Sequence, residues 1–350
     1  MNFFSSFQEK VQLHAASSTT TTKVSVPLVL LAAVGGLVVF NWALSILQLV
    51  LDLYVLPGVS LSKFGAAKKG QPGQGAWAVV TGATDGIGKE FALQLAKRGF
   101  NVFLASRTTA KLQAVQEEIG QAAPGAKVDW FPIDFAAATA DDYAALAKAI
   151  GDRDVGVLVN NVGMSHNMPV PFHETEDKEL ENIVNINVFA TLRVTKIVTP
   201  GMVKRKRGLV LQLGSFAGQF PSPLLSTYSG TKAFLIGFNA ALGEELSRSG
   251  VTVQLLNTYF VVSAMSKIRK SSALIPMPKP YVANVLAKIG RQGGAQGRPF
   301  EGTVWPMQGL FDWIITNLVG TRYRLSFTYD QQASIRKRAI RKAERQAKAQ

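Results

Sequence analysis

The chain has 350 residues, of which 47% are hydrophobic and 17% are charged, and its mean hydropathy is +0.14. This apolar content excludes a wholly disordered chain, because it can build a core that offsets the chain entropy lost on folding. The absence of cysteine excludes disulfides and thiolate chemistry, and the three histidines lack zinc-motif spacing. We therefore expect no metal site, and chemistry must use hydroxyl, lysine or amide groups or a bound cofactor.

The net charge of +15 and the sequence pI of about 10.0 predict an anionic partner. Residues 331–350 hold seven basic side chains and one acid, which is typical of a solvated helix or of a tail attracted to anionic headgroups. The chain lacks a zinc-finger, RNP-like or basic-zipper signature, so we expect no nucleic-acid partner. Anionic lipid, or a phosphorylated substrate or cofactor, is the favoured partner.

An uncharged apolar segment near the N-terminus, residues 24–51, is long enough to span a bilayer. A cleaved signal peptide has a shorter apolar part, and a buried core helix is seldom apolar on every side, so these alternatives are disfavoured. Two lysines precede the segment and three follow it closely. This bias predicts a single transmembrane helix with the large domain on the cytosolic side.

From residue 76 onward, short apolar runs alternate with segments of helical spacing such as 89–98 and 227–249. Runs that are apolar on both faces and separated by crossover helices predict a parallel sheet covered on both sides. The fold class is therefore α/β, a Rossmann-type doubly wound parallel sheet with an N-terminal transmembrane helix. The predicted strands cover residues 77–81, 101–105, 127–133, 155–160, 208–213 and 251–257.

The remaining segments are assigned by composition. Residues 303–319 are apolar but short and are interrupted by Asp312, which favours a packed or interfacial helix over a second span. The expected divisions are an N-terminal tail (1–23), an anchor (24–51), a linker (52–75), a Rossmann-type domain (76–302), a membrane-proximal apolar segment (303–330) and a basic tail (331–350).

A glycine-rich turn follows the first predicted strand directly, with glycines at 82, 86 and 88. At this position the turn and the N-terminus of the next helix can hold a dinucleotide pyrophosphate, although an isolated glycine turn is also a common strand-to-helix loop. The second strand ends without the acid that usually binds an adenosine ribose, and Arg107 stands there instead. This favours NADP(H), because arginine can bind the 2′-phosphate.

Tyr228 and Lys232 are four residues apart and share one face of a predicted helix. A nearby ammonium favours the phenolate, so this pair makes a usable proton donor to a carbonyl. Ser215 follows the fifth strand and can hydrogen-bond the same carbonyl oxygen, and Asn187 can complete a polar relay. Each residue taken singly could be an ordinary helix-surface or turn residue.

Taken in order and spacing, the glycine turn, Asn160-Asn161-Val162-Gly163, Asn187, Ser215 and the Tyr228/Lys232 pair resemble the short-chain dehydrogenase/reductase superfamily over residues 76–298. Further segments (84–89, 200–202, 259–261 and 266–269) are similar to the microsomal very-long-chain 3-oxoacyl-CoA reductases of fatty acid elongation, which are related to 17β-hydroxysteroid dehydrogenases. Val162 departs from the usual alanine, and Thr258-Tyr259 replaces the usual Pro-Gly.

The resemblance implies roles by position. Tyr228 is then the acid, Lys232 binds ribose and lowers the phenol pKa, Ser215 orients the carbonyl, and Asn187 holds a relay water. Val80 and the turn would hold pyrophosphate and ribose, Asp134 adenine, Asn161 the ribose region, and Val261 with Ser263 the nicotinamide carboxamide. The implied cofactor-binding residues are Val80, Gly82, Thr84, Asp85, Gly86, Ile87, Gly88, Arg107, Asp134, Asn161, Tyr228, Lys232, Val261 and Ser263.

The implied function is the NADPH-dependent reduction of very-long-chain 3-oxoacyl-CoA to 3-hydroxyacyl-CoA in the endoplasmic reticulum membrane, beside other enzymes of an elongation complex. An oxidoreductase for steroids or other lipid ketones on the same scaffold is the alternative, and a non-catalytic membrane scaffold is a third class. Basic residues at the entrance of the site would favour acyl-CoA, whereas an entirely apolar entrance would favour a steroid.

Overall fold

The computed structural model describes residues 25–68 and 70–347, and the chain divides into two units between Val50 and Leu51. The expected N-terminal tail lies outside the described residues. The first unit contains helix α1, Val26–Val50, and the second unit contains the α/β domain.

Helix α1 is apolar on all sides. Together with a π-helical turn, Leu51–Val55, it makes a 30-residue helix. The most apolar 18-residue window of this helix has a mean hydropathy of 2.2, and none of that window is buried. The helix is long and apolar enough to cross a membrane.

The domain is built on a seven-stranded sheet in which every strand is parallel to its neighbours and the order is β3-β2-β1-β4-β5-β6-β7. The six predicted strands are present, and β7 adds a two-residue edge strand that is too short to produce a sequence pattern. The strands are β1 (Trp77–Thr81), β2 (Asn101–Ser106), β3 (Val128–Pro132), β4 (Val155–Asn160), β5 (Gly208–Leu213), β6 (Val251–Leu256) and β7 (Glu301–Gly302).

Helices cover both faces of the sheet, as the doubly wound class requires. The helices of the domain are α2 (Gly86–Lys97), α3 (Thr109–Ala122), α4 (Ala140–Ile150), α5 (Asp177–Val184), α6 (Ala190–Arg205), α7 (Phe216–Gln219), α8 (Ser226–Ser247), α9 (Pro278–Ala287), α10 (Pro306–Leu318) and α11 (Thr321–Ala347). Short 3₁₀ turns occur at Leu61–Phe64 and Phe172–Glu174, and a π-helical turn at Asn185–Phe189 joins α5 to α6.

Two apolar cores lie on opposite faces of the sheet, because side chains alternate along each strand. In β1, Ala78 and Val80 belong to one core, whereas Val79 belongs to the other. All three are fully buried. Burying one such valine contributes about 1.5–3 kcal/mol, which explains why the central strands read as continuous apolar runs.

The segment expected to be a linker is folded against the domain over its first part. Asp52 is buried and accepts a hydrogen bond from the Gly293 backbone at 3.1 Å. The Lys288 ammonium donates to the Leu56 carbonyl at 2.7 Å, and Phe64 is completely buried. Its Gly, Pro and Lys content resembles that of a flexible linker, but these long-range contacts hold it in place.

Helix α10 occupies the apolar segment near the C-terminus and packs against the domain through a buried charge. Asp312 is inaccessible to solvent and pairs with Arg298. Asp312 also accepts hydrogen bonds from Thr303 at 2.5 Å and from Thr316 at 3.2 Å. The charge that interrupts the apolar pattern is therefore part of an internal network.

Candidate active site

The candidate site lies at the carboxyl ends of the strands, between β1 and β4. The strands that follow β1 in the chain lie toward one edge of the sheet, and those that follow β4 lie toward the other edge. In an open parallel sheet, this switch point opens a crevice that binds ligands. The glycine turn follows β1, Asn161 follows β4, and Ser215 follows β5.

The glycine turn has the backbone shape that only glycine adopts readily. Gly82 and Gly86 have φ angles of +63° and +53°, in the left-handed region. A Cβ added to Gly88 would lie 2.3 Å from the Asn161 side-chain nitrogen and 2.3 Å from the Gly82 carbonyl oxygen, so α2 packs closely on the turn. The first turn of α2 can then present its backbone N–H groups to a pyrophosphate, and the turn fits a dinucleotide.

Asn161 fixes the end of β4 beneath this turn. Its side-chain amide donates to the carbonyls of Thr81 at 3.0 Å and Gly82 at 3.2 Å. The Thr81 hydroxyl accepts from the backbone N–H groups of Asn161 at 3.0 Å and Val162 at 3.1 Å. Thr81, which the sequence analysis did not select, thus joins the two central strands, and Val162 takes part through its backbone.

The residues expected at the adenosine end lie along the ends of β2 and β3. The Thr84 and Ser106 hydroxyls are 2.9 Å apart, which fixes the turn against β2. The Asp85 carboxylate accepts from the Gly86 N–H at 2.7 Å and caps α2. Arg107 and Asp134 are both exposed, so their side chains are accessible to a ligand.

The side chains of two residues expected to contact the cofactor are buried. Val80 is completely buried in one core and Val261 is 3% exposed in the same core, so neither side chain faces open space. Val80 lies in β1 and Val261 in the loop after β6, and both apolar side chains pack into the core beneath the site. Ser263 lies nearer the surface, where its Cβ would be 3.5 Å from a Cβ added to Gly86. Ile87 is partly buried against the same core.

Tyr228 and Ser215 are brought together by α8 and by the loop after β5. Burial raises the pKa of the Tyr228 phenol, and its hydrogen bond with Ser215 only partly opposes this rise in pKa. The Ser215 hydroxyl also accepts from the Ala217 N–H at 3.1 Å and so caps α7. The phenol is therefore protonated at neutral pH, as a proton donor must be.

Lys232 is buried beside this phenol. It is 5% exposed, and its ammonium lies 5.8 Å from the centroid of the Tyr228 ring. The ammonium donates to the Leu213 carbonyl at 2.7 Å. Burial lowers the pKa of Lys232 to about 8, because solvation of the charged form is lost.

Asn187 lies in the π-helical turn and is almost completely buried. Its side-chain oxygen accepts from the Met164 N–H at 2.8 Å, and its amide nitrogen donates to the Met164 carbonyl and the Thr231 hydroxyl, each at 2.9 Å. The amide therefore ties the loop after β4 to α8. Thr231 was missed, although its position three residues after Tyr228 on a helix places it near the same face.

A second missed residue, Gln308 of α10, holds the loop that follows β6. It is completely buried, accepts from the Tyr259 N–H at 3.1 Å, and donates to the carbonyls of Phe260 and Leu274, each at 3.0 Å. The Tyr259 ring packs on Phe216, beside Ser215, with centroids 5.3 Å apart. No local sequence signal links position 308 to this loop.

Comparison with known proteins identifies the family. Residues 76–273 match the family described as short chain dehydrogenase. The chain belongs to the short-chain dehydrogenase family. A very-long-chain 3-oxoacyl-CoA reductase of Mycosarcoma maydis is 56% identical to this short-chain dehydrogenase over 328 residues, 94% of this chain and 93% of the relative. An identically named protein of Coprinopsis cinerea is 55% identical over 306 residues, 87% and 88% of the two chains.

Solved structures agree with the fold. A 7β-hydroxysteroid dehydrogenase has a TM-score of 0.65 at 19% identity and covers 73% of this chain and 96% of its own. A metagenomic short-chain oxidoreductase solved in complex with NADP has a TM-score of 0.53 at 29% identity, covering 65% and 96% of the two chains. Family membership and this neighbour support a nicotinamide cofactor, which the glycine turn fits.

Proposed function

We propose that this short-chain dehydrogenase reduces very-long-chain 3-oxoacyl-CoA to 3-hydroxyacyl-CoA with NADPH. The observation that carries the proposal is that relatives 46–56% identical over most of the chain are named very-long-chain 3-oxoacyl-CoA reductase. The arrangement of Ser215, Tyr228 and Lys232 supplies the groups that a ketone reduction needs.

Each group has a role that follows from its chemistry. When bound, the reduced nicotinamide supplies the hydride. The protonated Tyr228 phenol donates its proton to the ketone oxygen, and the Ser215 hydroxyl hydrogen-bonds that oxygen and orients it. Lys232 provides positive charge beside the phenol and toward the dinucleotide, while Asn187 holds the loop at Met164 against α8.

Arg107 supports the preference for NADPH over NADH. Its guanidinium is exposed at the carboxyl end of β2, where it can form a charge-assisted hydrogen bond with a 2′-phosphate. We expect Arg107→Ala to reduce the ratio of kcat/KM for NADPH to that for NADH by about 10–100-fold, since such a bond contributes about 1.5–3 kcal/mol. Steady-state kinetics with both cofactors measure the ratio, and an unchanged ratio contradicts the assignment.

The pKa of Lys232, lowered to about 8, predicts a pH-dependent affinity for NADPH. Below pH 8 the ammonium is charged and attracts the anionic dinucleotide, so binding raises the pKa of this lysine. The affinity for NADPH therefore falls as the pH rises from 7 to 9, by up to about tenfold for each pH unit by which binding raises the pKa of Lys232. Fluorescence titration measures it, and Lys232→Arg, which stays charged, removes the dependence. An equal fall in that variant would assign the effect to another group.

Exposed basic side chains follow Ser263, whose Cβ lies 3.5 Å from a Cβ added to Gly86 of the glycine turn, and they support an acyl-CoA over a steroid as the substrate. Lys267, Arg269 and Lys270 are exposed on the segment that follows Ser263. The Lys267 ammonium donates to the Asn167 carbonyl at 2.6 Å, which joins this segment to the loop after β4. Such charges can attract the phosphates of coenzyme A.

The test compares substrates with the full chain reconstituted in membranes. NADPH oxidation is measured with 3-oxoacyl-CoAs of increasing chain length and with oestrone. We expect a higher kcat/KM for the long acyl-CoAs, and neutralising Lys267, Arg269 and Lys270 is expected to raise KM for acyl-CoA only. A higher kcat/KM for oestrone would overturn the assigned substrate.

The remaining assignments concern location. Helix α1 supports a single-pass anchor, and the greater number of lysines after it supports a cytosolic domain in the endoplasmic reticulum membrane. A very long acyl chain partitions into the bilayer, so an anchored reductase meets its substrate there, beside other elongation enzymes.

A further inference from the structure

The C-terminal helix α11 has one face packed against the domain. Gln332 on this face is 7% exposed. The Arg324 guanidinium lies 5.2 Å from the centroid of the Phe220 ring, and Arg336 donates to the Pro169 carbonyl at 3.1 Å and pairs with Glu174. These contacts hold α11 across the loops at 169–174 and 220–221.

The far side of α11 carries a row of exposed residues that we term the outer strip. Its spacing of three or four residues keeps the row on one helical face. The outer strip consists of Tyr323, Phe327, Asp330, Ser334, Arg338, Arg341 and Arg345, of which Asp330 is the one acid. Tyr323 is 69% exposed and Phe327 is 50% exposed, and their rings stack with centroids 6.4 Å apart.

The second half of the outer strip is positively charged and unpaired. In the part of the chain that the structure describes, Arg338, Arg341 and Arg345 form no ion pair. Within α11 as a whole, eight basic residues outnumber two acids, Asp330 and Glu344. Exposed aromatic rings and unpaired arginines together favour binding to the headgroup layer of a membrane. Aromatic rings lie at the membrane interface, and guanidinium groups bind lipid phosphates.

The occupant of this surface is set by what lies nearby. The candidate transmembrane helix α1 is followed directly by Leu51–Val55, which belongs to the domain. A bilayer crossed by α1 is therefore only a few residues along the chain from the domain. We propose that the outer strip of α11 lies on the surface of that bilayer and binds its anionic headgroups.

The absence of cysteine allows a direct test on the full chain. A single Ser334→Cys variant is labelled with an environment-sensitive fluorophore, and the protein is reconstituted in phosphatidylcholine vesicles with or without phosphatidylserine. We expect a lipid-borne quencher to quench this label more strongly when phosphatidylserine is present. A label at Ala114→Cys, exposed on α3, is expected not to respond.

Charge variants decide whether the arginines are responsible. Neutralising the three arginines of the outer strip to glutamine is expected to weaken the contact on the order of 100-fold, since each basic residue near an anionic surface contributes about tenfold or less. A matched variant loses three exposed lysines elsewhere, with Lys97→Gln, Lys111→Gln and Lys204→Gln, and is expected to keep the contact.

Two results would overturn the proposal: quenching at position 334 that does not depend on phosphatidylserine, or quenching that falls equally in both charge variants. An acidic protein would then be the alternative partner. Circular dichroism of each variant verifies folding. The measurement needs no turnover, so its failure is distinct from a failure of the proposed reaction.

Discussion

Tyr228→Phe is expected to lower kcat for the reduction of a 3-oxoacyl-CoA by about 10²–10⁴-fold, the usual contribution of a general acid. Burial raises the pKa of the Tyr228 phenol, so wild-type enzyme holds the proton at neutral pH, whereas phenylalanine has none to give. The ring itself remains, so NADPH affinity is expected to stay close to that of the wild type. Steady-state NADPH oxidation and a fluorescence titration measure the two quantities separately.

Tyr143→Phe is the matched control for this experiment. Tyr143 is also largely buried, but it packs on Phe135 in the core of the domain, with ring centroids 6.4 Å apart. Its loss of a hydroxyl is expected to leave kcat unchanged. Activity of Tyr228→Phe above about a tenth of wild type would remove Tyr228 from the role of acid.

Arg298→Met is expected to destabilise the domain by about 3–5 kcal/mol, because it leaves two buried carboxylates without their cation. Arg298 pairs with Asp312 and, at 3.0 Å, with Glu301, and both carboxylates are at most 4% exposed. Burial already raises the pKa of the Glu301 carboxyl, and Arg298 is the largest influence that lowers this pKa. Thermal unfolding of the full chain in detergent is expected to show a fall in Tm of about 6–10 °C.

Arg248→Met provides the comparison at the surface. Arg248 pairs with Glu244 at 2.9 Å one helical turn away, but both side chains are well exposed. An exposed pair contributes about 0.2–1 kcal/mol, so Tm is expected to change by about 2 °C or less. If the two variants shift Tm equally, the buried network around Asp312 has no special stabilising role.

Features that depend on residues close in the chain could be predicted from the sequence. The strand runs are apolar because both faces of the sheet are covered, and the core residues Val79 and Val80 show this directly. The spacing of Tyr228 and Lys232 places both on one face of α8. The glycine turn requires positive φ angles at Gly82 and Gly86, so the glycines in the sequence also predicted a turn after β1.

The long-range contacts could not be predicted from the sequence and are seen only in the folded structure. The Lys232 ammonium donates to the carbonyl of Leu213, nineteen positions away, and burial lowers the pKa of this lysine. Gln308 fixes the loop at Tyr259, and Asp52 binds the Gly293 backbone. Local spacing identifies the reactive groups, because residues three or four apart share one helix face and a turn involves only neighbouring residues. Their desolvation and partners depend on distant segments, which no local pattern encodes.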